Sequence, residues 1–219
     1  MRTVFFDLDD TLLRGNSANL FIKYMLKRGE LGWLDVAKGL YYTFRYKLNI
    51  IDIDEVTASF VARYEGTTEA SLIEQSDDWF QQMVHPLIYN DARDLIESHR
   101  GQGHQLILLS ASTIYACKPV AKHLGFHGFI GTRLSLADGK LTGKIEPPLC
   151  YGPGKVSRAK EFLKAASGND SLADCTFYTD SITDLPMLEA VGDPQVVNPD
   201  PLLSREAKRR GWPVRYFAR

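Results

Sequence analysis

Two aspartates spaced one residue apart follow a short apolar run near the start of this chain, in Val4-Phe5-Phe6-Asp7-Leu8-Asp9-Asp10-Thr11-Leu12-Leu13. Side chains alternate along a strand, so Asp7 and Asp9 leave its end on the same side. Two carboxylates crowded there repel one another; they need a cation between them, or one must hold a proton. Either arrangement suits chemistry on an anionic substrate. A second acidic group, Asp180-Ser181-Ile182-Thr183-Asp184, follows the run Thr176-Phe177-Tyr178-Thr179. If the two runs are neighbouring strands, three or four carboxylates converge. An oxygen-only donor set of that kind calls for a hard cation, magnesium before others. Ser110 ends a third apolar run and precedes a helix, whose free amides make an anion site. Lys155 follows Gly152-Pro153-Gly154 at another helix start, where a cation opposes the helix dipole unless it serves an anion or has a partner. Taken singly, Asp184 and Ser110 read equally well as helix caps. Taken together, these residues supply a nucleophile, an acid, a metal site, a hydroxyl and an ammonium. That is the equipment of phosphomonoester hydrolysis, which needs charge neutralisation and in-line positioning. A carboxylate nucleophile splits that reaction through an aspartyl-phosphate.

The elements that must position these groups follow from the apolar pattern. Val4 to Phe6 reads as a short strand buried on both faces, as in a parallel sheet. Residues 17 to 85 read as helical with no convincing strand. Within them Leu34, Ala37, Tyr41, Phe44 and Leu48 recur at steps of three and four, one apolar helix face. A further helix starts near Asp52 or Asp54, and another runs from about Thr68 to Val84, closed by Pro86. After Pro86 strands and helices alternate. The pattern predicts a helix over 91–100, a strand over 105–110 and a helix over about 113–124. A short strand over 126–130 follows, then a hairpin over 133–145 turning at Asp138-Gly139. A helix from about Lys155 to Ala166, a strand over 176–180, a short helix over 185–190 and strands over 194–197 and 214–217 complete the chain. Such alternation argues an α/β fold with a Rossmann-like parallel sheet. The first strand must join that sheet, so the helical block is an insertion after it. The division expected is a core of residues 1–14 and 87–219 and a helical cap of residues 15–86. Ligands of open α/β sheets sit beyond the carboxyl ends of the strands, where Asp7, Ser110 and Asp180 all fall.

Composition excludes more than it selects. A net charge of −1 over 219 residues builds no field for a polyanion, so nucleic acid is not an expected partner. Three cysteines, Cys117, Cys150 and Cys175, form no CxxC pair and suit a reducing compartment. No apolar leader fits before Asp7 and no apolar run is long enough to span a bilayer. The expected location is the cytoplasm, without a stable membrane anchor; oligomeric state is open.

Four stretches carry a resemblance to a known family: Asp7-Leu8-Asp9-Asp10-Thr11-Leu12, Ser110-Ala111-Ser112, Lys155, and Asp180-Ser181-Ile182-Thr183-Asp184-Leu185-Pro186-Met187-Leu188. In combination they resemble the haloacid-dehalogenase-like (HAD) superfamily, in its phosphoserine-phosphatase-like branch, subfamily IB. Val197-Asn198-Pro199-Asp200-Pro201-Leu202 is similar to the branch as well. The resemblance implies a HAD fold with a C1-type cap and a magnesium-dependent phosphatase. Asp7 would be the nucleophile, and Asp9 the acid that protonates the leaving alkoxide and then activates water. Asp7, the backbone carbonyl of Asp9, and Asp180 would hold Mg2+, with Asp184 supporting its water shell. Ser110, the amide of Ala111, and Lys155 would hold the phosphoryl oxygens. Asn16 and Ser17 fall where the branch reads its substrate. Phosphoserine phosphatases carry a glutamate at the position of Asn16, and a neutral amide pairs less well with an ammonium. Substrates of the histidinol phosphate or phosphoserine type are expected, with a phospholipid headgroup such as phosphatidylglycerophosphate as an alternative. The aromatic stretch Tyr41-Tyr42-Thr43-Phe44-Arg45-Tyr46-Lys47 could touch lipid, but reads first as cap core.

Other constellations carry less. Asp52-Ile53-Asp54 repeats the acid spacing inside the helical block and reads as a helix start. His123 and His127 are four apart, but Gly125 interrupts any shared helix. Lys208-Arg209-Arg210 reads as a solvated helix end that complements the dipole. A receiver-like signalling module also clusters aspartates, a hydroxyl and a lysine around magnesium. Its acceptor, however, follows a middle strand in sequence, and it has no large insertion after the first. A phosphate-binding module without catalysis is a further alternative, against which the intact Asp7, Asp9, Lys155 and Asp180 speak.

Overall fold

A computed structural model of the chain describes residues 2–32 and 53–218. The apolar face from Leu34 to Leu48 and the aromatic stretch at 41–47 lie outside the described residues. The sheet has seven strands: β1 (Thr3–Phe6), β2 (Gln105–Thr113), β3 (Gly128–Ala137), β4 (Lys140–Glu146), β5 (Thr176–Thr179), β6 (Asp193–Val197) and β7 (Val214–Arg215). Their spatial order is β4-β3-β2-β1-β5-β6-β7. Only β4 runs antiparallel to its neighbour; every other pairing is parallel. The strand that opens the chain is therefore the middle of the sheet, flanked by the strands that end near Ser110 and Asp180.

Nine helices are used below: α1 (Ser17–Lys27), α2 (Ile53–Val61), α3 (Glu69–Trp79), α4 (Asn90–Gly101), α5 (Ile114–Leu124), α6 (Pro153–Ser167), α7 (Leu185–Ala190) and α8 (Pro201–Arg210), with a π-helical turn (Phe80–Val84) extending α3 as the ninth. Alternation on β1 assigns its residues to two cores. Val4 and Phe6 pack with Ala92 and Ile96 of α4 and Val120 of α5. Phe5 packs with Ala159 and Leu163 of α6, Met187 of α7 and Leu203 of α8. Helices thus cover both faces, which is why the strands read as unbroken apolar runs. Truncating one such fully buried phenylalanine to alanine costs about 3–5 kcal/mol.

The helical segments between β1 and α4 rest on the sheet domain in two ways. Leu20, Tyr24, Trp79 and Phe80 belong to the same apolar cluster as Phe6 and Leu8. Val61 and Leu72 pack on Tyr115, Leu134 and Leu141 of α5 and the β3–β4 hairpin. The chain leaves and re-enters side by side: the Arg14 amide donates to the Leu87 carbonyl at 2.8 Å, and the Tyr89 amide to the Leu12 carbonyl at 3.0 Å.

Three expected elements differ. The short strand and the hairpin after Phe126 share one strand, β3, whose first half pairs with β2 and whose second half pairs with β4. The helix expected from about Thr68 to Val84 is α3 continued to Val84 by the π-helical turn, and Pro86, expected to close it, lies inside a following 3-10 turn (His85–Leu87). Strand β2 continues past Ser110 to Thr113, losing register with β3 between Leu109 and Thr113. Thr113, not Ser110, caps α5, accepting from the Ala116 amide.

Candidate active site

Asp7 lies one residue past β1, and its amide prolongs the ladder by donating to the Tyr178 carbonyl at 2.9 Å. Its carboxylate is buried and accepts from Lys155 Nζ at 2.6 Å. The same ammonium donates to Asp184 Oδ2 at 2.7 Å, and that oxygen also accepts from Thr179 Oγ1 at 2.6 Å. Lys155 and Asp184 are both nearly inaccessible to solvent, so these are charge-assisted bonds in a medium of low dielectric. Burial alone would depress the lysine; the ion pairs with Asp184 and Asp7 outweigh it and hold Lys155 protonated above its ordinary range. This answers the puzzle of a cation in the first turn of a helix. Lys155 turns away from the dipole and into two carboxylates. Its loop is tightly built: a Cβ on Gly154 would stand 1.8 Å from the Leu149 carbonyl oxygen, so only glycine fits there.

Asp9 is held from the other side. Its Oδ1 accepts from the Ser17 amide at 2.7 Å; its Oδ2 accepts from Ser17 Oγ at 3.0 Å and from Asn16 Nδ2 at 3.3 Å. Asn16 caps α1, its Oδ1 accepting from the Asn19 amide at 3.1 Å. The two residues expected to read the substrate are thus engaged with Asp9 and with the helix start. The Asp9 carbonyl accepts from the Thr11 amide at 2.6 Å, which leaves one lone pair. Thr11 Oγ1 donates to Asp180 Oδ1 at 3.3 Å.

Ser110 is buried one strand over, two residues past the Phe6–Leu108 pair. It is not at a helix start; it stands where β2 loses register, and its Oγ accepts from the Ser112 amide at 3.2 Å. Irregularities of this kind re-aim side chains beside functional sites. The Ala111 carbonyl is pinned by Thr132 Oγ1 at 2.7 Å. Gly131 lets β3 approach: a Cβ there would lie 2.6 Å from the Ser112 carbonyl oxygen.

The cluster carries more negative charge than its lysine balances. Burial pushes Asp7 up to about 7, with Asp184 and Asp9 adding to it while Lys155 opposes. Burial raises Asp9 to about 6 against the Ser17 hydrogen bonds, and raises Asp180 to about 8, aided by Asp7 and Asp10. A divalent cation relieves that repulsion, and an all-oxygen donor set suits magnesium. No group of three or more His, Cys, Asp or Glu side chains forms a metal cage among the described residues. The donors present are oxygen atoms, which suits a hard divalent ion that keeps part of its water shell.

Several contributors escaped the sequence reading. Thr179, Thr11 and Ser112 each hold a site residue, and Asp200 braces the Asp180 loop by accepting from the Ile182 amide at 2.7 Å. Thr179 was findable as the last strand residue before Asp180; Asp200 stood in a stretch that resembles the family, but its hold on the loop after β5 depends on the pairing of β5 with β6. The histidines settle apart. His123 faces His85 and Arg93, whereas His127 Nδ1 accepts from the Leu106 amide. Cys150 is buried, and burial pushes its thiol up to about 12, the opposite of an activated nucleophile.

The profile of the haloacid dehalogenase-like hydrolases matches residues 4–189. The chain belongs to this family. Among its relatives, a probable phosphatase of Mycobacterium tuberculosis is 38% identical over 221 residues, 98% of this chain and 75% of that one. A histidinol-phosphatase of Neisseria meningitidis is 30% identical over 215 residues, covering 97% of both. A solved structure of a protein of unknown function from Bordetella pertussis superposes with a TM-score of 0.89 at 27% identity, again covering 97% of both chains. These likenesses span nearly the whole of this chain, the helical segments after β1 included.

Proposed function

We propose that this haloacid dehalogenase-like phosphatase hydrolyses a small phosphomonoester through a phospho-Asp7 intermediate, with magnesium as its cofactor. The reading rests on one observation above all. Asp7 stands at the carboxyl end of the central strand, bonded to a buried ammonium, with Asp9 and Asp180 beside it. Asp7 attacks phosphorus as the ester P–O bond breaks. Asp9 gives its proton to the departing oxygen, then takes one from the water that attacks the phospho-Asp7. Ser110 Oγ, the Ala111 amide and Lys155 Nζ hold the phosphoryl oxygens. Asp7, Asp180 and the Asp9 carbonyl would hold the magnesium ion, and Asp184 would support its water shell. Bound there, the ion supplies charge neutralisation. Residues 15–86 act as the cap over residues 1–14 and 87–219 and exclude water from the site.

For substrate, the relative named histidinol-phosphatase, matched end to end, makes histidinol phosphate the first candidate. A neutral Asn16, engaged with Asp9, disfavours the ammonium of phosphoserine. No described helix is long and apolar enough to cross a membrane, and three buried free cysteines suit the reducing cytoplasm. The test is phosphate release from a panel of esters with and without magnesium. Asp7→Asn should lower kcat/KM by at least about a thousandfold while the protein stays folded. Retained turnover in that variant would remove the nucleophile assignment.

A further inference from the structure

Ser17 is nearly inaccessible and makes three polar contacts, none of them to solvent. Its amide and its hydroxyl donate to the two oxygens of Asp9, and its Oγ lies 2.6 Å from Ser112 Oγ. Ser112 in turn donates its amide to Ser110 Oγ. A single residue, the first of α1, therefore bridges the Asp9 carboxyl and the irregular end of β2 that carries Ser110 and Ala111. We infer that Ser17 is the positioning residue for the acid function of Asp9. It fixes the rotamer of that carboxyl and couples the start of α1 to the irregular end of β2.

Three observations carry this. Asp9 lies in a turn past the end of β1, so no strand pairing holds its side chain in place. Among the described residues, the hydrogen bonds to its carboxyl all come from Asn16 and Ser17, at the entrance of α1. The hydroxyl is also the one contact among them that can accept as well as donate. It can stay bonded to Asp9 whether the carboxyl carries its proton or has passed it to the leaving oxygen.

The inference rests on the role proposed for Asp9, and the experiment separates the two. kcat/KM is measured on glycerol 2-phosphate, whose alkoxide needs a proton to leave, and on p-nitrophenyl phosphate, whose phenolate does not. Ser17→Ala should lose at least about tenfold on the alkyl ester and no more than about threefold on the aryl ester. Ser17→Thr, which keeps the hydroxyl, should recover most of the loss. Asp9→Asn is run alongside and should show the same selective loss, deeper. Equal losses on both esters in Ser17→Ala, or none, with a selective loss in Asp9→Asn, would overturn the role of Ser17 alone. No selectivity in Asp9→Asn would overturn the acid reading beneath it, as would wild type turning over neither ester. Thermal unfolding of each variant identifies a loss that comes from misfolding, since that loss is indifferent to the leaving group.

Discussion

The two aspartates that open the site are two residues apart, yet they are held in opposite ways. Asp7 is anchored from below, by a buried ammonium on α6 that also binds Asp184, itself held by Thr179 at the end of β5. Every partner in that set belongs to the sheet and the helices beneath it. Asp9 is anchored from the side, by the first residues of α1, with partial solvent contact. The difference suits the two tasks proposed for these residues. A nucleophile must stay fixed through both half-reactions, whereas an acid that becomes a base must meet first a departing group and then water. Anchoring the second carboxyl to an entering helix ties its geometry to whatever that helix does when substrate arrives.

The contrast can be broken most severely at Lys155. Lys155→Met leaves two buried carboxylates without their cation and should cost about 3–5 kcal/mol of stability, read by urea unfolding near neutral pH. Asp184→Asn in the same background should give back part of that loss, because one buried charge is removed. If Lys155→Met were nearly neutral, the floor of the site would not be the rigid half described above. On the other side, Asn16→Ala removes the cap of α1 and one donor to Asp9. It should cost only about 1 kcal/mol, with activity on alkyl esters falling more than stability does. A loss as large as that at Lys155 would erase the contrast.

The smallest effect is a pH dependence beneath the Asp7 side. His99 Nε2 pairs with Tyr178 Oη at 2.9 Å, and its ring packs edge-on to Phe6. Burial, then His104, hold its pKa below the ordinary value, with Arg215 and Arg2 adding to this and Asp193 opposing. The unfolded chain therefore binds a proton here more readily than the folded one. Stability from this group is full above about pH 6.5 and is lost as pH falls through the lowered native value. Unfolding curves between pH 7 and 5 should show that decline, and His99→Gln should flatten it. An unchanged slope in His99→Gln would assign the decline to other groups.

Much of this was legible along the chain. Apolar runs ending in acids marked β1 and β5, and the alternation of strand and helix after Pro86 marked a parallel sheet, because burial on both faces leaves an unbroken apolar signal. Boundaries were less legible where backbone pairing, not composition, decides them. Nothing in Ser110-Ala111-Ser112 announces that β2 runs on irregularly to Thr113, since that course depends on how closely β3 approaches through Gly131. Likewise the run from Phe126 to Ile145 looked like separate pieces, because one strand changes partners midway.

What the sequence determined by itself was the inventory: which carboxylates and hydroxyls end up at strand ends, which ammonium opens a helix, and that an oxygen-rich anion chemistry is available there. Those properties are local, fixed by side-chain alternation and by where apolar runs stop. Tertiary structure alone decided the pairings. That Lys155 reaches both Asp7 and Asp184, 148 and 29 residues away, depends on α6 packing on the face of the sheet that carries Phe5, Ile107 and Ile130. That Ser17 serves Asp9 and Ser112 depends on α1 starting beside the ends of β1 and β2. Such contacts join residues whose separation in sequence carries no periodic signal, and their strength comes from burial that exists only once the layers have packed.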